Sequence, residues 1–376
     1  RIAALDHLRG AIMVLMALDH ASFFIARMHS REFWGTALPD YPSALPFILR
    51  GITHICAPGF FILMGAGMAM LADSRRATGW STARITRYFL LRGLILIGVQ
   101  LFIENPAWGL AFIRGEPGTF ISRGGPLPGS GEGMAIYLGV LFALGGVMMF
   151  WSLAAYLSTP VVAGISISAL LLTQWITPGP EAFAVDYPVW VRMLQIPGRS
   201  GPLVVYYPVV PWLGIAGLGI VLGRWRKPIF DHLPRWAVCI AGVLLAAFIV
   251  VRGTGGFGNF HAPAAGWIGF LNVTKYPPSL AYILLTLGLN ALLLGIFSAR
   301  RGRGDGWLAV FGRTPLFFYI LHLYLYGLMG WIVPSGVPPG LMLIFWLAGL
   351  AMLYPLCRFY DRFKSAKPLN TPWRLL

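Results

Sequence analysis

Stretches of about twenty mostly apolar residues recur along the whole chain with short polar breaks between them, and ~20 such residues is what one helix needs to cross a bilayer. They lie near 4–26, 48–72, 83–103, 134–156, 160–177, 204–223, 235–252, 277–298, 308–330 and 339–357. Of the 376 residues 57% are hydrophobic and 11% charged, whereas soluble domains carry about 25% charged residues. A soluble fold has no interior large enough for that apolar surface. The pattern predicts an all-α, polytopic integral membrane helical bundle of about ten transmembrane helices, forming a single domain over residues 1–376. No soluble domain, internal repeat or low-complexity tail interrupts it.

The chain has 29 Lys and Arg against 13 Asp and Glu, a formal charge of +16. In a soluble protein that surplus suggests nucleic acid, but in a multispanning protein it reads first as topology, because cytoplasmic loops collect Lys and Arg. With the N-terminus inside, the cytoplasmic connections hold Arg75, Arg76, Arg84, Arg87, Arg224, Arg226, Lys227, Arg235, Arg300, Arg301 and Arg303. The tail adds Arg358, Arg362, Lys364, Lys367 and Arg374. The opposite loops hold Arg27, Arg31, Arg114, Arg123, Arg192, Arg199, Arg252 and Lys275, half as many. The expectation is therefore N-in and C-in, with membrane lipid and no nucleic acid as partners. Cys56, Cys239 and Cys357 are odd in number and fall in or beside apolar segments, so no disulfide framework and no metal cluster is expected. Asp6, Arg9, Asp19 and His20 in the first segment argue against a cleavable signal peptide. Two Gly- and Pro-rich loops near 104–133 and 178–203 read as either disordered or functional lids.

Ionisable groups at bilayer depth cost at least ~2.5 kcal/mol unless they face protein or water, so each marks a buried polar site. The first helix, LDHLRGAIMVLMALDHASFF, is the richest. Arg9 and His20 are eleven residues apart, which on an α-helix places them within roughly 20° of one face and about 16 Å apart along the axis. Asp19 lies beside that stripe. Arg50, His54, Glu104 and Lys275 are expected at the same outer level, and a shared polar cavity open to the outside accounts for them together. At the inner side, FGRTPLFFYILHLYL places Arg313 before a Thr-Pro helix start, with Thr314 as the cap. His322 falls on the opposite face from Arg313 and reads as a packing histidine.

An Arg followed after ten residues by His on the first helix resembles the signature of the transmembrane acyltransferase (acyltransferase-3) superfamily. The blocks ALDHLRGAIMVLMALDHASFF, ITHICAPGFFILMGAGMAM, YYPVVPWLGIAGLGIVLGRW, KYPPSLAYILLTLG and GRTPLFFYILHLYL look more specifically like bacterial proteins related to the catalytic domain of heparan-alpha-glucosaminide N-acetyltransferase. That resemblance implies an acyl-CoA-dependent enzyme of the bacterial inner membrane. It would move an acyl group, typically acetyl, from cytoplasmic acetyl-CoA or another acyl-CoA to an amino or hydroxyl group of an extracytoplasmic glycan. The motif carries over at Arg9 and His20. The lysosomal relative has Asn where this chain has His20 and its active histidine further along, which leaves His29 and His54 as alternatives.

A thioester is already activated, so the chemistry asks for a base, donors for a tetrahedral oxyanion and a site for the anionic CoA head. A histidine with an unperturbed pKa of about 6.5 suits the base role. His20 is the first candidate, with Asp19 to orient it. Arg9 and Arg313 are the candidates for CoA phosphates, and Arg50, His54, Glu104 and Lys275 for the acceptor. The rival reading from the same cluster is a transporter or proton-coupled permease. The sequence leaves monomer and homodimer, and N- and O-transfer, undecided.

Overall fold

A computed structural model of the chain describes residues 2–113, 121–130, 135–225, 232–299 and 306–367. The basic residues Arg114, Arg226, Lys227, Arg300, Arg301, Arg303 and Arg374, counted above for topology, lie outside the described residues. The described chain is mostly helical. In order it runs α1 (Ala3–Phe24), β1 (Met28–Ser30), α2 (Ala44–Thr53), α3 (Cys56–Ala77), α4 (Thr82–Val99), a π-helical turn (Gln100–Glu104), α5 (Asn105–Ile113), β2 (Ile121–Arg123), β3 (Gly129–Ser130) and β4 (Ile136–Leu138). It continues with α6 (Val140–Trp151), α7 (Thr159–Ile176), α8 (Val189–Leu194), β5 (Gly198–Ser200), β6 (Leu203–Val205), α9 (Val209–Arg224), α10 (Leu233–Thr254), α11 (Gly266–Leu271), α12 (Leu280–Ala299), α13 (Trp307–Arg313), α14 (Pro315–Gly330) and α15 (Pro339–Ala366).

Among the described residues six helices are long and apolar enough to cross a membrane, taking Ala44–Ala77 and Thr82–Ile113 each as one; α13 with α14 makes a seventh if the bent pair is one span. The apolar helices Val140–Tyr156 and α9 are shorter, and α1 carries charged residues. Outward faces of α10 and α15 present Val243, Val250 and Ile344 to the surroundings, as suits contact with lipid rather than water. The chain is thus an integral, multi-pass membrane protein. Three details correct the sequence reading. The segment 308–330 is not one helix but bends by 99° at Thr314. Thr314 does not cap α14; its hydroxyl donates to Val310 O (3.0 Å) on the preceding helix. The third segment, expected near 83–103, continues through the π turn to Ile113.

The centre of the bundle is α1, packed against α2, α3, α12, α13, α14 and α15. Its approach to α13 depends on two glycines: a Cβ on Gly10 would stand 1.9 Å from Leu308 O, and one on Gly312 1.9 Å from Asp6 O. Small residues at crossings let backbones touch where no hydrophobic force separates helix from lipid. The Gly- and Pro-rich loops, in their described parts, order into strands at the end of the bundle away from the N-terminus: β1 pairs with β2, and a four-stranded sheet runs β3-β5-β6-β4. Gly10→Ala is expected to push α13 away from α1 and cost about 1–3 kcal/mol, seen as a lower thermal unfolding midpoint in detergent. Gly242→Ala on α10, with nothing within 4 Å of its Cβ, should leave the midpoint unchanged or slightly raised.

Candidate functional site

The site begins where α1 ends. Arg27 turns the chain with a left-handed backbone (φ 54), and its buried guanidinium donates to Ala111 O (2.7 Å) and Gly330 O (3.4 Å). The strand that follows brings His29 and Glu32 back towards the C-terminal half of α1. Arg50, from α2, reaches into this corner. Its Nε and Nη2 donate to the two oxygens of Glu32 at 2.7 and 2.6 Å, and Nη1 donates to Asp19 Oδ1 at 2.7 Å. Glu32 is fully buried. Burial alone would raise its carboxyl, but the Arg50 guanidinium and the His54 contact (3.4 Å) hold it well below the usual carboxylate range.

That clamp engages Asp19. Expected to orient His20, its carboxylate instead accepts from Arg50 and from the Thr53 hydroxyl (3.1 Å). The partner of His20 is instead His322 on α14, with Nδ1 of His20 2.6 Å from Nε2 of His322. His322 is buried, as a packing histidine would be, but it also belongs to the site. The pair fixes a tautomer. His322 Nδ1 lies 3.0 Å from Phe318 O, and a carbonyl only accepts, so Nδ1 carries the hydrogen and Nε2 of a neutral His322 is an acceptor. His20 Nδ1 must then donate, which leaves the lone pair of His20 on Nε2.

A cavity of about 90 Å³ is lined by His20, Asp19, His29, Arg50, Lys275 and the rings of Trp108, Tyr137, Tyr206 and Tyr276, among others. Burial, with the charges of Arg50 and Arg31 adding to it, pushes His29 down to about 4, so it is neutral at pH 7; its Nε2 lies 3.3 Å from the Tyr206 hydroxyl. Lys275 sits 5.1 Å from the Tyr276 ring centre, on a loop organised by Arg252. The Arg252 guanidinium uses its donors on Phe270 O, Asn259 Oδ1, His261 O, Gly269 O and Asn272 O. Of the four residues expected to bind an acceptor, Arg50 and Lys275 line this cavity. His54 and Glu104 do not. His54 stands behind Arg50 against Glu32, and Glu104 is turned towards Tyr319 (2.8 Å) and Trp108 (3.0 Å).

A second cavity, about 320 Å³, opens nearer the N-terminal end of α1 and contains both Arg9 and Arg313, as well as Arg92 and Lys364. Phe60, Leu63, Met64, Leu141 and Leu144 supply apolar walls, and Tyr319 borders it. Arg9 is shared with Asp6 (3.2 Å) and Gly312 O (3.1 Å), and Arg313 with Asp361 (2.8 Å). The Asp6–Arg9 pair is the one that the i, i+3 spacing suggests. The Tyr319 ring centre is 6.4 Å from that of His20. The two cavities therefore approach one thin layer of side chains from opposite sides.

Sequence reasoning missed Glu32, Arg92 and the His20–His322 contact. Glu32 and Arg92 lie outside the stripe argument, and no spacing relates positions 20 and 322. Removing Arg50 strands two carboxylates, one of them fully buried, so Arg50→Ala is expected to destabilise the fold by about 3–5 kcal/mol. Adding Glu32→Gln should recover part of the loss. Equal unfolding midpoints for wild type and Arg50→Ala would remove the clamp from this account.

No curated protein matches the chain. The pattern of a known family, described as heparan-alpha-glucosaminide N-acetyltransferase, catalytic, matches residues 1–230. That stretch holds Arg9, Asp19, His20, His29, Glu32, Arg50, His54 and Glu104, while Lys275, Arg313 and His322 fall beyond it and enter the site by geometry alone. A match over more than half of the chain, containing the clamp and the cavity histidines, points to an acetyltransferase enzyme, and the chain belongs to the heparan-alpha-glucosaminide N-acetyltransferase catalytic family.

Proposed function

We propose that this protein transfers an acetyl group from acetyl-CoA, bound in the basic cavity, to an amino or hydroxyl group of a glycan acceptor entering the cavity of His20. The observation that carries the reading is the pair of cavities meeting at the His20–His322–Tyr319 layer. The basic residues of the larger cavity suit the phosphates of CoA, and its apolar throat suits the pantetheine arm that carries the thioester. By the positive-inside argument that cavity faces the cytoplasm, with both termini inside, about ten crossings and the acceptor on the far side of a bacterial inner membrane.

In this reading the reactive nitrogen is His20 Nε2. It takes the proton of the acceptor amine or hydroxyl as that atom attacks the thioester carbonyl, and it returns the proton to the sulfur as the C–S bond breaks. His322 accepts from Nδ1 of His20 and holds the ring in the required tautomer. Lys275 and the tyrosine hydroxyls of the cavity are the available donors for the acceptor and for the oxyanion.

His20→Ala should lower transfer about 10²–10⁴-fold while the folded protein still binds acetyl-CoA, and His322→Phe should lower it less. His29→Ala and His54→Ala are the controls. Near-normal transfer by folded His20→Ala with loss in His29→Ala would move the base role to His29. Separately, Arg9→Gln and Arg313→Gln are expected to weaken acetyl-CoA binding by calorimetry, each by about tenfold for one lost charge-assisted contact. Unchanged affinity in both would place the donor elsewhere.

A further inference from the structure

The two cavities are separated at one level on three stretches of chain that touch both. Along α1 the lining passes from Met13, in the basic cavity, to Leu18 and His20 in the other, and Ala17 between them is fully buried. Along the long fourth helix it passes from Leu96 to Trp108, and before α6 from Val140 to Tyr137. The π turn Gln100–Glu104 falls at that level, and such turns inside α-helices are frequently functional. Gln100 uses it to hold the start of α6: Oε1 accepts from Gly139 N and Phe142 N, and Nε2 donates to Tyr137 O.

Glu104, at the other end of the turn, is 2% exposed. Its Oε1 accepts from both the Trp108 indole (3.0 Å) and the Tyr319 hydroxyl (2.8 Å). Trp108 is a wall of the His20 cavity and Tyr319 a wall of the basic one. One oxygen thus ties the two walls together. Oε2 is buried beside it.

We propose that Glu104 is the latch of a septum between the two cavities, tying Trp108 to Tyr319 so that the passage beside His20 stays closed. The identity of what passes, the acetyl thioester, rests on the acetyltransferase reading; the latch itself does not. When the latch is lost, water reaches the thioester from the acceptor side. Its oxygen bonds to the carbonyl carbon, the C–S bond breaks, and acetate and free CoA thiol leave with the protons of the water.

The test uses the full chain in oriented proteoliposomes, with Cys56, Cys239 and Cys357 replaced by Ala and Leu141→Cys as a reporter inside the basic cavity. A membrane-impermeant maleimide is applied only from the face of the His20 cavity. With Glu104 present, labelling is slow; Glu104→Ala is expected to speed it at least tenfold, and Tyr319→Phe to do the same without touching the carboxylate. Glu104→Gln keeps an accepting oxygen and should restore the slow rate, which a general loosening of the bundle would not. A second arm measures free thiol released from acetyl-CoA without acceptor, expected to rise in Glu104→Ala and not in Glu104→Gln. Unchanged labelling in Glu104→Ala and Tyr319→Phe overturns the latch. Faster labelling with no thiol release upholds the latch and removes acetyl-CoA as the donor.

Discussion

The guanidinium of Arg50, held between Asp19 and Glu32, is the contact on which the rest of the site depends. Two carboxylates and one cation share a corner with little access to water, and each would be costly there without the others. The clamp joins α1, α2 and the loop after β1, and it decides which groups remain for chemistry. Asp19 and Glu32 are consumed by Arg50. His20 is left to His322, and His29 stays a neutral imidazole beside Tyr206.

The glycine crossing between α1 and α13 plays the matching role at the other end of the bundle. Because Gly10 and Gly312 let the backbones touch, Arg9 can reach Gly312 O and stand in one cavity with Arg313. The bend at Thr314 then directs α14 so that Tyr319 and His322 arrive beside His20. A straight helix over the same residues would send them elsewhere. A cation-lined cavity and a histidine layer are therefore two results of one packing arrangement.

Much of this was legible in the residues. Apolar stretches announced the helices, because in hydrocarbon the backbone must satisfy itself within each segment. The Arg9–His20 stripe followed from helical periodicity alone, and the cost of burying charge marked Arg50 and Lys275 as members of a polar site. Family-specific blocks carried the acetyltransferase expectation, and the family match agrees with it.

What the sequence could not decide was which polar group meets which. Asp19 neighbours His20 in the chain, yet a helix turns adjacent side chains about 100° apart, and Asp19 faces Arg50. His322 reads as packing because nothing in its own segment names a partner three hundred residues away. Glu104 reads as an acceptor ligand by depth, but the π turn redirects it to Tyr319 and Trp108. Depth and face follow from a helix's own periodicity and were fixed by the sequence order of residues. Partnership depends on how separate helices cross, bend and approach, and only the tertiary structure decided it.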